Sequence, residues 1–134
     1  MSLDNVILEV QRSVPECVAI GVVDMKTGML LGVKTLDRHP QEVLDLVAAA
    51  TGDLYQGSNV SAIEAAFRKS RGVTDDGHHY FQEIIVLSDN LIHVFQRLKR
   101  NPDIVMTCVM RGNANLGMVL TKSRLGLPKV EAAL

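Results

Sequence analysis

The spacing of apolar residues switches between helical and strand-like periods along the chain, and this predicts a fold that mixes helices and strands. Apolar residues recur at steps of three and four over Leu3–Val14, which predicts an amphipathic helix, capped by Ser2 and ended by Pro15. Two strand-like runs follow, Glu16–Asp24 and Met29–Leu36. The turn DMKTG between them has the residues of a tight β-hairpin.

The rest of the chain predicts two more helices, three strands and a closing helix. Pro40 suits a first helical turn, so the longer helix is expected from Pro40 to Tyr55 or Gln56, before Gly57. A shorter helix and an exposed loop come next, followed by a meander of strands with short turns. The expected bounds are Val60–Ser70 for the short helix, Arg71–His79 for the loop, Tyr80–Leu87, Leu91–Leu98 and Ile104–Met110 for the strands, and Leu116–Leu125 for the last helix, capped by Asn115 and closed by Gly126 and Pro128.

Each predicted strand carries apolar side chains at both odd and even positions, so both faces of the sheet need to be covered. We therefore expect an α/β (α+β) protein with a single five-stranded antiparallel sheet and helices on both faces, in three layers. A length of 134 residues predicts one domain, residues 1–134, that is large enough to form its own core.

The long predicted helix is apolar over a wider arc than a helix needs for docking on one surface. One apolar stripe suffices for docking on the sheet: Val43, Leu46, Val47, Ala50 and Leu54. A second stripe of apolar or small residues lies beside it: Leu44, Ala48, Thr51 and Tyr55. A polar face completes the helix: Glu42, Asp45, Asp53 and Gln56. The second stripe needs a partner, which is either the short helix of the same chain or the same helix of a second subunit about a twofold axis. We predict a homodimer.

The strand Tyr80–Leu87 adds to the homodimer prediction. In a three-stranded meander it is expected at an edge of the sheet, where one side of its backbone is unpaired. Glu83 is its only charged residue, so little opposes the addition of a strand from a second chain. The side chains expected at this part of the interface are Tyr80, Gln82, Ile84 and Val86.

Composition and charge narrow the classes of function. Fourteen basic and fifteen acidic residues give a net charge of -1, so no overall field favours nucleic acid or an anionic membrane. No apolar run reaches the length of a membrane span and the start lacks a leader pattern, so a cytoplasmic location is expected. Six basic residues at one hairpin and one helix end form either solvated surface or a patch for an acidic partner or phosphate: Arg97, Lys99, Arg100, Arg68, Lys69 and Arg71.

The chain shows none of the spacings that commonly mark enzymes. It has no GxGxxG, P-loop or GxSxG motif. Cys17 and Cys108 fall in apolar strand-like runs and are expected as buried free thiols. His93 lies within a predicted strand, and the pair His78-His79 has no third ligand at a metal-binding spacing. We therefore expect no enzyme, and no catalytic, cofactor-binding or metal-ligating residue.

A small-molecule sensor of related α/β topology is the alternative function. It requires a pocket between the sheet and a helix, with Met106, Met110 and Met118 as the expected lining. Methionine at such positions is also common as core filling.

The order of elements and several segments of sequence match a known family pattern. VAIGVVDMKTGMLL (Val18–Leu31) has its apolar strand, Asp-to-Gly turn and second strand, and the helix around Val43–Ala50 has its long helix. Ile92–Phe95 and Ile104–Met110 fit its last two strands. In these features the chain resembles the roadblock/dynein light chain family. Ser58–His79 is longer than the usual link, so a short helix and loop are expected as an insertion at 58–79.

This resemblance implies a roadblock/profilin-like three-layer fold and a non-enzymatic dimer, in which one sheet continues across two subunits and the long helices pack side by side. Family members in bacteria and archaea often accompany small Ras-like GTPases as regulators, and those of eukaryotes serve dynein and lysosomal signalling scaffolds. The resemblance therefore implies a homodimer that binds a small Ras-like GTPase or scaffolds a protein complex. By analogy, the GTPase contacts are on the polar face of the long helix: Glu42, Asp45, Asp53 and Gln56.

Overall fold

The computed structural model describes residues 2–36, 41–72 and 79–134, and for residues 41–45 it describes the backbone alone. Helices and strands alternate within these ranges much as the apolar spacing predicts. In chain order they are α1 (Leu3–Ser13), β1 (Cys17–Asp24), β2 (Met29–Thr35), α2 (Gln41–Gln56), α3 (Ser58–Ser70), β3 (Glu83–Leu87), β4 (Leu91–Arg97), β5 (Ile104–Arg111) and α4 (Leu116–Ala133).

The strands form one antiparallel sheet in the order β2-β1-β5-β4-β3. The predicted hairpin joins β1 and β2: the Asp24 carboxylate accepts a hydrogen bond of 2.9 Å from the Lys26 N–H, and Gly28 has the positive φ of 74° that the turn needs. The prediction of a single five-stranded antiparallel sheet is confirmed.

Helices α1 and α4 cover one face of the sheet. Their buried side chains meet those of β1, β4 and β5 in an apolar cluster that includes Val6, Ile7, Val10, Ile20, Val22, Val94, Met106, Cys108, Met110, Val119 and Val130. Since successive residues of a strand point to opposite faces, this cluster uses half of the apolar positions in each strand.

Helix α2 covers the opposite face, where it packs on β1 and β2. A smaller apolar cluster forms there, made of Val23, Met25, Ala48, Tyr55, Phe95 and Val105. Within β5, Val105 belongs to this cluster and the next residue, Met106, belongs to the other. Helices therefore lie on both faces of the sheet, as predicted.

The predicted helix caps are present at two of the helices. The side chains of Ser2 and Asn115 each accept a hydrogen bond from the backbone N–H three residues on, at 3.3 and 3.1 Å. Helix α3 begins at Ser58, two residues before the predicted start, because extended Gly57 takes the N-cap position.

Helix α4 continues to Ala133, and the prediction that it ends at Leu125 is wrong. Gly126 and Pro128 lie inside the helix rather than beyond it. Pro128 has no N–H to donate to the carbonyl four residues before it, which usually breaks a helix. Val130, in the next turn, is completely buried in the core, and this burial outweighs the missing hydrogen bond.

Gly126 determines how closely α4 approaches α1. A Cβ at this position would lie 2.9 Å from both methyl carbons of Val10, which is closer than two carbon atoms can pack. Gly117, in the first turn of α4, has room for a Cβ, whose nearest neighbour would be the Asn115 Oδ1 at 3.4 Å. An added methyl group would therefore clash with α1 at Gly126 but would fit at Gly117.

We expect Gly126→Ala to lower the free energy of unfolding by about 1–3 kcal/mol, because the added methyl overpacks the contact between α1 and α4. Gly117→Ala makes the same change in the same helix and should raise the free energy of unfolding by up to about 1 kcal/mol, because alanine favours helix. Urea denaturation followed by circular dichroism measures both. Equal effects of the two substitutions would contradict a close contact at Gly126.

Candidate functional site

Helix α2 turns a stripe of apolar side chains away from the sheet. Leu46 is 70% exposed, and Val47, Ala50 and Leu54 are exposed beside it. On α3, Ile63 and Phe67 are exposed as well. We call these residues of the two helices the outer apolar patch: Leu46, Val47, Ala50, Leu54, Ile63 and Phe67. The two helices contact each other, and a group of exposed apolar side chains is typical of an interaction site.

The docking side of α2 is the opposite of the predicted one. Ala48, Thr51 and Tyr55, which were expected to meet a second subunit, are buried within their own chain. Tyr55 is accommodated there because its hydroxyl donates a hydrogen bond of 3.1 Å to the Gln82 carbonyl, so its polar group stays paired. Leu44, the other residue of that stripe, has its side chain outside the described residues.

Strand β3 lies at an edge of the sheet, as predicted, and pairs with β4 on one side. Ile84 packs against the α2 cluster, whereas Ile85, Val86 and Leu87 are exposed, Leu87 by 69%. The strand is shorter than predicted, because it begins at Glu83 and leaves Tyr80 and Gln82 in the segment before it. Of the expected interface residues in this region, Ile84 and Val86 lie on the edge strand itself.

The hydrogen-bond alternation shows which backbone groups of β3 are open. The Gln82 carbonyl accepts from the Arg97 N–H at 2.8 Å, and the Ser88 N–H donates to the Leu91 carbonyl at 3.0 Å. In an antiparallel pair every second residue bonds to the neighbouring strand. Residues 82, 84, 86 and 88 therefore bond to β4, and the backbone of Ile85 and Leu87 faces away from the sheet.

A buried carboxylate holds the segment before β3 against α3. Glu64 is almost completely buried, and its Oε2 accepts a hydrogen bond of 2.6 Å from the Tyr80 N–H. Its Oε1 lies 3.3 Å from His79 Nδ1. The Tyr80 ring meets Phe67 edge to face, with 6.0 Å between the ring centroids. These contacts fix the chain where it enters the edge strand.

Arg97 ties the same segment to α2. Its guanidinium lies 4.8 Å from the centre of the Tyr55 ring, and its Nε and Nη1 donate to the carbonyls of Phe81 and Pro102 at 3.0 and 2.6 Å. Burial raises the pKa of Tyr55, which keeps the phenol protonated as a donor to Gln82. The entry to β3 and helix α2 are therefore parts of one buried polar network.

Two of the four predicted partner-binding residues lie in the last turn of α2. Asp53 and Gln56 are both exposed, and Gln56 Nε2 also donates to the Met25 carbonyl at 3.1 Å. Asp53 is next to Leu54 of the outer apolar patch. Glu42 and Asp45 belong to the first turns of α2, whose side chains lie outside the described residues.

A groove of about 600 Å³ lies between the second half of α4 and the ends of β3 and β4. The methionines expected to line a pocket are elsewhere: Met106 and Met110 have no exposed surface, and Met118 is exposed near the start of α4. The predicted pocket lining is therefore wrong, because Met106 and Met110 fill the core and Met118 lies on the surface away from the groove. The groove lining consists mainly of charged side chains and of the Leu127–Pro128 wall of α4.

Cysteine and histidine side chains are the remaining candidates for catalysis or metal binding in the part of the chain that the structure describes. Cys17 and Cys108 are buried free thiols, as expected. His93 Nε2 lies 3.1 Å from Ser88 Oγ, and burial lowers the pKa of His93. No group of three metal-ligating side chains occurs among the described residues, which do not include His78. None of the helices described is long and apolar enough to cross a membrane.

The chain matches no family model and no curated protein, but it does match solved structures. The Roadblock/LC7 domain from Streptomyces avermitilis aligns with a TM-score of 0.70 and 15% identity, over 98% of this chain and 97% of that one. MglB of Myxococcus xanthus aligns with a TM-score of 0.68 and 14% identity, over 98% and 96%. An MglB with a tetrameric arrangement aligns with a TM-score of 0.66 and 21% identity, over 97% and 88%.

The chain therefore has the fold of Roadblock/LC7 domains, as the resemblance of its sequence implied. The α2 helix with its outer apolar patch and the open edge of β3 are features of this chain set on that fold. At these levels of identity the likeness concerns the fold, so the function rests on the surfaces themselves.

Glu83, the first residue of β3, connects the edge strand to α4. Its carboxylate accepts hydrogen bonds from Arg124 Nε at 3.0 Å and Nη2 at 2.6 Å, and from Gln96 Nε2 at 2.8 Å. The hydrogen bonds from Arg124 lower the pKa of Glu83. Because the unfolded chain then takes up this proton first, Glu83 stabilises the fold above its usual pKa of 4.5, and this contribution is lost as the pH falls.

We expect Glu83→Gln to be less stable than the unchanged protein at neutral pH and to lose less stability between about pH 5 and 3. Urea denaturation at a series of pH values measures the difference. Glu16→Gln is the matched control, because Glu16 also pairs with an arginine, Arg111 at 3.1 Å, but at the opposite end of the sheet. A pH profile of Glu83→Gln that runs parallel to that of the unchanged protein would contradict this role.

Proposed function

We propose that this protein is a non-enzymatic homodimeric adaptor that acts in the cytoplasm and regulates a small Ras-like GTPase. The observation that carries the proposal is the outer apolar patch on α2 and α3, combined with an open strand edge, on a Roadblock/LC7 fold. In the described part of the chain, Leu46 of this patch is 70% exposed and β3 pairs with β4 on one side only.

A second copy of the chain suits both surfaces. A helix that buries Tyr55 on one side and exposes Leu46 on the other is typical of a helix that lies between two packed surfaces. An open edge strand with the exposed apolar residues Ile85 and Leu87 favours the addition of a strand from another chain. About a twofold axis, each of these surfaces meets its own copy.

The similar structures support self-association. One of them is an MglB whose solved form has a tetrameric arrangement, so a protein of this fold assembles with its own kind. A dimer that joins β3 to β3 and α2 to α2 agrees with the arrangement that the resemblance to the roadblock family implied.

The GTPase part of the proposal rests on the resemblance and on the polar residues beside the patch. Members of the roadblock family often accompany small Ras-like GTPases, and MglB proteins are among the solved structures with this fold. In this chain Asp53 and Gln56 are exposed at the end of α2. With Glu42 and Asp45 they are the proposed GTPase contacts, and acidic residues here select a partner with a basic surface.

We expect Leu46→Asp to weaken the dimer at least tenfold, because a buried leucine contributes about 1.5–3 kcal/mol and a charge at the interface adds a penalty. Light scattering coupled to size exclusion over a range of concentrations gives the dissociation constant. Leu125→Asp is the matched control, since Leu125 is an exposed leucine on α4, at 63% against 70% for Leu46. A monomeric unchanged protein at micromolar concentration, or equal effects of both variants, would overturn the homodimer.

A separate substitution tests the role of the open strand edge in the dimer. The N–H of Ile85 faces away from β4, so Ile85→Pro removes a donor from the edge and leaves the pairing with β4 intact. We expect it to weaken the dimer while the circular dichroism spectrum stays unchanged. Val86→Pro removes a donor to β4 instead and should lower the melting temperature. A dimer unaffected by Ile85→Pro would restrict the interface to the helices.

We expect the tagged protein to recover a small GTPase from the lysate of its own organism in only one of two nucleotide states, excess GDP or a GTP analogue. Mass spectrometry of the recovered proteins gives the readout. Asp53→Lys should reduce this recovery at least tenfold, because it places a like charge against a basic partner surface. Asp89→Lys, at an exposed turn outside α2, should leave it unchanged. Recovery of no GTPase in either state would contradict the regulator function.

A further inference from the structure

The groove beside α4 is separate from the outer apolar patch and from the proposed GTPase contacts, and it meets the edge strand only at its start, Gln82 and Glu83. It lies on the face of the sheet that α4 covers, whereas the outer apolar patch is on the α2 side. Its volume of about 600 Å³ is within the range of small-molecule sites. One wall is the apolar part of α4 that contains Leu127, Pro128 and Ala132.

The groove carries an excess of positive charge. Three cationic side chains, Lys99, Arg100 and Arg124, line it against two carboxylates, Glu83 and Glu131. Glu83 is already engaged by Arg124 and Gln96. Glu131 accepts from the Arg100 backbone N–H at 3.1 Å, and its other oxygen is 4.0 Å from the Arg100 guanidinium.

Two of these cations are available to an outside partner. The Arg100 side chain is 88% exposed, so its contact with Glu131 is weak. Lys99 is exposed in the turn after β4, and no carboxylate lies within ion-pair distance of it in residues 2–36, 41–72 and 79–134. Arg97 lines the groove as well, but its guanidinium lies over Tyr55 on the α2 side and is not counted as an anion ligand.

The base of the groove is polar and incompletely paired. Gln96 is almost completely buried, and its Nε2 donates to the Glu83 carboxylate at 2.8 Å and to Ser123 Oγ at 2.9 Å. Its Oε1 has no hydrogen-bond donor in the described part of the chain. This acceptor would not pair with the oxygens of an anion, so the cations of the groove, and not Gln96, would bind the charged group.

We propose that this groove binds a small organic anion, with its carboxylate or phosphate paired to Lys99 and Arg100 and its apolar part lying on Leu127 and Ala132. The excess charge selects the anion, and the apolar wall favours a molecule with a carbon body over an inorganic ion. This site does not depend on the dimer or on a GTPase, so it holds or fails independently of them.

Titration of the isotope-labelled protein, followed by NMR of its backbone amides, tests the site. The probes are octanoate for the carboxylate arm, AMP for the phosphate arm and pyrophosphate as an anion without an apolar body. We expect saturable shifts at Lys99, Arg100, Leu127 and Ala132 with octanoate or AMP, and binding at least tenfold weaker with pyrophosphate. Binding of octanoate identifies the charged group of the ligand as a carboxylate, and binding of AMP identifies it as a phosphate.

Charge reversal distinguishes this site from general attraction between the protein and anions. The double variant Lys99→Glu, Arg100→Glu changes exposed residues and should weaken binding at least tenfold. Lys129, a cation of α4 that lies outside the groove, pairs with Glu9 at 3.0 Å. The variant Lys129→Glu should therefore change the affinity less than twofold. No saturable shift with octanoate or AMP, shifts confined to another surface, or equal loss in both variants would overturn the proposal.

Discussion

The need to cover both faces of an apolar sheet governs this structure. β5 shows this directly, because Met106 faces α1 and α4 whereas its neighbour Val105 faces α2. Helices α1 and α4 cover one face of the sheet, and the absence of a side chain at Gly126 lets these two helices pack closely. The other face is covered by α2, which buries Tyr55 and exposes Leu46. Helix α2 is therefore apolar on both sides, and covering the sheet leaves its outer side exposed.

A buried polar network connects α2 to the open edge of the sheet. The Tyr55 hydroxyl and the Arg97 backbone N–H both bond to the Gln82 carbonyl, directly before β3. Glu64 holds Tyr80 in the same segment from α3. Because buried polar groups are costly when unpaired, this network permits few arrangements of the segment. The network therefore holds the start of the edge strand in a fixed position relative to α2 and α3.

Most of the fold could be predicted from the sequence, because local signals and periodicity agree along the chain. Short segments of sequence determine the caps at Ser2 and Asn115 and the order of helices and strands along the chain. The predictions from sequence are wrong where contacts between residues far apart in the chain determine the structure. Periodicity found two apolar stripes on α2 but assigned the wrong one to the sheet, since Tyr55 is held inward by its hydrogen bond to a carbonyl 27 residues away. α4 passes through Pro128 because Val130 fits the core, which spacing does not reveal.

The groove escaped sequence reasoning for the same reason, since its cations come from the turn after β4 and from α4, and only the fold brings them together. Glu83 belongs both to this groove and to the edge strand. An anion that reached Arg124 would compete with Glu83 for one guanidinium, because each carboxylate or phosphate seeks the same paired donors. Glu83 would then lose the contact that holds the start of β3 to α4.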